Sequence, residues 1–253
     1  HKMNKYRARL EENTFVEILM RQKNHPKLNW RNISANPAIT FDLLFPGSWL
    51  GPRPWDWTEV SKNGAIKVSD MLANFMGLPA GNPVSVYDPT VTKKPLPWDW
   101  EAASQNPTFT TDDFTKIMKI QSDAAADPSM PSIQLDYRAL SRNNVTIEAI
   151  IEHRKHFERM TGVELDWRHS YMPGMLGRLV VCDQWDWYEL SRNPRIKVSE
   201  VLEMLAMSEH AMSKHTAPII QHVAVMPWNI RGLSANPTIT SRDIAMARSI
   251  KGF

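Results

Sequence analysis

A single cysteine, Cys182, stands in 253 residues. That excludes an intramolecular disulfide and any zinc site built on cysteines. It follows Leu179, Val180 and Val181, so it reads as a buried, inert thiol. No run of about 18 apolar residues occurs, so no membrane-spanning helix is expected. The polar, basic start (His1, Lys2, Lys5, Arg7, Arg9) leads into no apolar stretch, so no secretion signal is visible. Basic runs never exceed two residues, and 30 basic against 27 acidic residues leave a net charge of +3. Such interspersed charge describes a solvated helical surface rather than a basic stripe for nucleic acid. There is no Gly-x-Ser-x-Gly elbow, no phosphate-binding loop and no dinucleotide fingerprint.

Tryptophan is abundant instead: ten residues, placed in a pattern. Six copies of one motif align on the anchors Trp30, Trp57, Trp100, Tyr137, Trp187 and Ile230. Each anchor follows Asn29, Asp56, Asp99, Asp136, Asp186 or Asn229. Three residues on comes Ile33, Val60, Ala103, Leu140, Leu190 or Leu233, followed at once by Ser34, Ser61, Ser104, Ser141, Ser191 or Ser234. Two further on stands Asn36, Asn63, Asn106, Asn143, Asn193 or Asn236, followed by Pro37, Gly64, Pro107, Asn144, Pro194 or Pro237. The copies span residues 28–44, 55–72, 98–114, 135–151, 185–202 and 228–244. A half copy lies at 14–19 and a degenerate one at 165–175, around Trp167. One array over 1–253 is the expected organisation. It begins mid-repeat and without Met, so the chain is expected to be a piece of a longer protein.

The motif predicts a pair of helices. Asp or Asn before the anchor is a helix cap, and Glu59 and Glu189 can close capping boxes. Asn-Pro ends the first helix after about two turns. Thr40, Thr110, Thr146 and Thr240 open the second, with Asp113 and Asp243 three residues after two of them; Lys67 and Lys197 fill that place elsewhere. Helices this short need neighbours to bury their apolar faces. The expected fold is therefore all-α, an α-solenoid of helix-turn-helix repeats with the anchor tryptophans as buried wedges. Residues 73–97 and 122–133, rich in Pro, Gly or Ala, read as loops between copies. The methionines read as gap-fillers between short helices.

Chemistry finds little footing. Glu152, His153 and His156 miss the zinc-protease spacing, and His210, His215 and His222 lack a carboxylate partner. Six equivalent serines cannot all be nucleophiles; a small residue whose hydroxyl bonds local backbone fits better. Asp56, Asp99, Asp136 and Asp186 are caps rather than acid–base pairs. No catalytic, metal or cofactor residue is assigned. Nucleic-acid binding is the rival reading, through Arg31, Arg138, Arg192, Arg195 and Arg231, which share no single position in all copies.

Pro54-Trp55-Asp56-Trp57, Leu190-Ser191-Arg192-Asn193-Pro194 and Ile239-Thr240 together resemble the W-D-W / L-S-x-N-P-x-I-T tandem repeats of large nucleocytoplasmic DNA viruses, the giant viruses of protists. The resemblance covers about half the residues and nearly the full span. It carries over no catalytic residue. It implies a viral protein of the virion or the host-cell cytoplasm: a scaffold binding other proteins, such as viral structural proteins, within a particle as a minor capsid component. A host-factor-binding effector is the further alternative.

Overall fold

The computed structural model describes residues 14–22, 24–45, 48, 50, 52–77, 95–127, 132–161, 185–210, 226 and 228–250. Among these the regular structure is all helix and no strand occurs. Cys182, His215, His222 and the degenerate copy at 165–175 lie outside the described residues. The chain divides into two units, His1–Phe109 and Thr110–Phe253, the division falling inside the third copy.

The first unit contains helix α1 (residues 14–22), α2 (Trp30–Ser34), a 3-10 turn (Phe41–Leu44), α3 (Trp57–Lys62), α4 (Val68–Phe75) and α5 (Trp100–Ala103). The second contains α6 (Thr111–Ala126), α7 (Tyr137–Arg142), α8 (Ile147–Thr161), α9 (Trp187–Arg192), α10 (Val198–His210), α11 (Ile230–Ser234) and α12 (Ser241–Ala247). The short anchor-bearing helices pack on their successors: α2 on α3 and α3 on α5, then α7 on α9 and α9 on α11. The longer partners do likewise, α6 on α8 and α10 on α12.

Every anchor-bearing helix starts the same way. The side chains of Asn29, Asp56, Asp99, Asp136, Asp186 and Asn229 accept the backbone N–H three residues on. Helices of four to six residues leave most of their N–H and C=O groups without intrahelical partners, so these caps matter more than in a long helix. The second helices are less uniform. Thr110 with Asp113, and Thr240 with Asp243, form capping boxes. Thr40 makes no such bond and opens only the 3-10 turn. Glu59 and Glu189 turn to arginines instead: Glu59 bonds Arg31, and Glu189 meets Arg142 and Arg192.

The loop boundaries also shift inward. Residues 73–75 complete α4 and 122–126 complete α6, because apolar spacing (Phe114, Ile117, Met118) carries α6 past its alanines.

The tryptophan cores differ from expectation in one respect. Trp30, Trp57, Tyr137 and Trp187 are half-buried, and Ile230 is 49% exposed. Of the anchors only Trp100 is buried. The buried rings are the tryptophans two residues earlier in the motif: Trp55, Trp98 and Trp185. Four anchors pack edge-on against the tryptophan at that place in the following copy: Trp30 on Trp55 at 5.4 Å, Trp57 on Trp98 at 5.5 Å, Tyr137 on Trp185 at 5.1 Å and Trp187 on Trp228 at 5.7 Å; Trp100 meets Phe75 edge-on instead, at 5.5 Å. Edge-to-face pairing suits the opposite charges of ring face and rim.

Candidate functional surface

The serine and asparagine of the motif bond between copies; for serine this comes in addition to the local backbone bond that the sequence suggested. The Ser34 hydroxyl accepts the N–H of Asp56, at 3.0 Å; Ser61 accepts that of Asp99, Ser141 that of Asp186, and Ser191 that of Asn229. A local bond exists as well, since Ser104, Ser141 and Ser234 donate to the carbonyl four residues back. The hydroxyl thus donates into its own helix and accepts from the next copy.

Asparagine does the reverse. The Asn63 amide donates to the carbonyls of Ser34 and Asn36. Asn106 donates to Ser61, Asn63 and Ile66; Asn193 to Ser141 and Asn143; Asn236 to Ser191, Asn193 and Ile196. Meanwhile Oδ1 of Asn36, Asn63, Asn106, Asn193 and Asn236 accepts the N–H two residues on, holding the turn after the helix. Asn143 also has partners of its own, its carbonyl accepting from Asn193. One side chain therefore saturates the carbonyl ends of the preceding short helix, which a four- to six-residue helix cannot do alone.

A third stitch was invisible in the single-copy consensus. Lys67 gives α4 no side-chain cap; the Thr108 hydroxyl of the next copy accepts the Val68 N–H instead. Thr238 does the same for Val198, where Lys197 stands. The signal was present: both Lys-type copies are followed by one reading Asn-Pro-Thr.

His153 and His156 are packing residues. His153 stacks on Tyr137 at 4.5 Å and its Nδ1 accepts from Trp185 Nε1 at 3.0 Å. Burial, with His156 adding a smaller effect, pushes its pKa down to about 3. Burial likewise raises the Tyr137 phenol above its ordinary value. His156 Nδ1 lies 3.1 Å from the Ser122 hydroxyl. No group of three metal-ligating side chains occurs among the described residues.

With the motif's polar atoms committed inward, variable positions face outward. Directly after each anchor come Arg31, Thr58, Glu101, Arg138, Tyr188 and Arg231, all exposed except the half-buried Thr58. Arg31, Arg138 and Arg231 thus share one position. In the second unit Arg138, Arg142, Tyr188, Arg192 and Arg231 are exposed together, with Arg192 stacked 5.7 Å from the Tyr188 ring centre. Asp186 and Glu189 sit lower, 3.5 Å from Arg138 and Arg142 respectively.

No protein-family model, curated protein or solved structure matches the chain.

Proposed function

We propose that the protein is a non-enzymatic helical-repeat scaffold, an α-solenoid whose copies present a variable outer face to other proteins. The carrying observation is the exposed Tyr188–Arg192 pair flanked by Arg138 and Arg142. Tyr and Arg are the residues on which protein interfaces most often concentrate their binding energy. Asp186 and Glu189 favour a protein partner over nucleic acid, because a phosphate backbone would meet carboxylates as well as arginines. The repeat's resemblance to those of large DNA viruses supports, as part of this reading, a minor structural role in a virus particle, viral structural proteins as partners, and a location in the virion or host-cell cytoplasm.

The test is capture from virion and source-cell lysate, with and without nuclease, using the native protein and an Arg142→Glu/Arg192→Glu variant. Nuclease-resistant partners lost with the variant are expected. Capture abolished by nuclease would shift the reading to nucleic acid.

A further inference from the structure

The residue directly after each anchor and the residue four further on lie one turn apart on the same side of their helix. On α7 both places hold arginine, Arg138 and Arg142. On α9, which packs against α7, they hold Tyr188 and Arg192. Elsewhere a cation at one place is not joined by a second: Arg31 is followed by Ala35, and Lys62 is preceded by Thr58. The cationic face is therefore a property of the fourth and fifth copies, not of the motif.

The heights of the charges differ. The side chains of Arg138, Arg142 and Arg192 are 74%, 58% and 48% exposed, while those of Asp186 and Glu189 beneath them are 21% and 18% exposed. Glu189 is shared, 3.5 Å from Arg142 and 3.8 Å from Arg192, so these two arginines belong to one patch. Both distances exceed the about 2.7–2.9 Å of a tight charge-assisted hydrogen bond. The carboxylates thus orient the guanidinium groups without saturating them, since each carries five N–H donors. Arg192 also lies over the Tyr188 ring, which is 40% exposed and so offers apolar surface between the charges.

We propose that this face takes an acidic segment of a partner protein, its carboxylates bridging Arg138, Arg142 and Arg192 and an apolar side chain lying on the Tyr188 ring. The proposal rests on the protein-binding reading of this surface and adds the chemistry of what is bound. A carboxylate is flat and singly charged, so it fits the guanidinium fork through two parallel N–H bonds. Single charges placed only where arginines stand are tolerated beside Asp186 and Glu189. A nucleic-acid strand brings a phosphate at every nucleotide and would press several of them onto those carboxylates.

Selection of short random peptides displayed on phage, against the whole chain, tests it, with fluorescence anisotropy on the synthesised binders. Peptides rich in Asp and Glu and carrying an aromatic or leucine residue are expected, with binding that weakens as salt rises. Arg138→Gln/Arg142→Gln/Arg192→Gln should lower their affinity by about tenfold or more. Tyr188→Ala should lower it with the salt dependence kept. Arg31→Gln, the same place in the first copy, should leave it unchanged, and circular dichroism should show every variant folded. Selection of neutral or basic peptides, or of none, overturns the proposal. So do acidic peptides that bind the folded triple variant as well as the native chain, or that lose as much with Arg31→Gln. An oligothymidylate that binds more tightly than the peptides, and is lost with the same triple variant, assigns the face to nucleic acid instead. Neutral peptides lost with the triple variant sink the acidic chemistry and leave the scaffold reading standing. Acidic peptides bound as expected, with no nuclease-resistant partner captured from lysate, sink the scaffold reading and not the chemistry of the face.

Discussion

Asn106 is fully buried, and its single amide group serves three carbonyls at 2.9–3.0 Å while its oxygen holds a turn. A net value of about 0.5–1.5 kcal/mol per hydrogen bond makes Asn106→Ala costly, about 2–4 kcal/mol by urea denaturation. Asn106→Asp should cost more, since it aims a carboxylate at carbonyl oxygens, while Asn36→Asp should be near neutral. The tryptophans sort by burial in the same way. Trp98 is buried and donates to Asn74 at 2.9 Å, so Trp98→Ala should cost about 3–5 kcal/mol. Half-buried Trp57 should lose less, about 1–2 kcal/mol. His153 adds a pH term of definite sign. Its neutral form is favoured in the fold, so its contribution is complete above the unfolded value near 6.5 and is lost as pH falls toward 3. The melting temperature should decline through that window, at up to about 1.4 kcal/mol of stability per pH unit, and His153→Gln should flatten the slope.

Helix pairs were legible because their signals are local: an acceptor before each anchor, Asn-Pro after it, and apolar residues at helical spacing. What joins copies was not. Ser61 reads the same whether its hydroxyl bonds its own helix or, as it does, the N–H of Asp99, 38 residues away. Nor could spacing tell which tryptophan of the W-D-W triplet is buried, since Trp55 and Trp57 lie two residues apart and either could face inward. Lys67 shows the loss most clearly: a missing cap within one copy is a supplied cap across two. Thr108→Val should therefore destabilise the protein by about 1 kcal/mol, and Lys67→Thr should recover most of that by capping α4 from within. Close approach is the other rule of this scale. A Cβ on Gly232 would lie 2.6 Å from the Tyr188 carbonyl oxygen and 2.7 Å from Ser191 Cβ. Gly232→Ala should force α9 and α11 apart, at about 1–3 kcal/mol in denaturant unfolding.

Within each unit, successive copies are joined by neighbour bonds such as those of Asn63 to Ser34 and Asn193 to Ser141. The second and fifth copies both place Lys before Val-Ser, and the third and sixth both follow Asn-Pro with Thr. Copies are therefore not interchangeable: a Lys-type copy needs a Thr-type copy after it. The outer face answers to different rules. Exposed ion pairs are worth about 0–1 kcal/mol, so Arg142→Glu/Arg192→Glu should barely move the melting temperature. Partner affinity should nevertheless fall by about tenfold, about 1.4 kcal/mol, in a titration with the captured protein. The sequence placed arginines here; only the fold showed that Arg138, Arg142 and Arg192 rise above the carboxylates beside them.

The asparagine ladder also gives the protein a chemical clock. Asn63 precedes Gly64, the neighbour that least hinders the backbone nitrogen from attacking the side-chain amide and expelling ammonia. While folded, that amide is buried and tied to Ser34 and Asn36, so the ring closure has no room to begin. Each excursion to the unfolded state releases it. An aspartate made there returns to a slot built for a donor, so the second copy would record, irreversibly, how long the chain has spent undone.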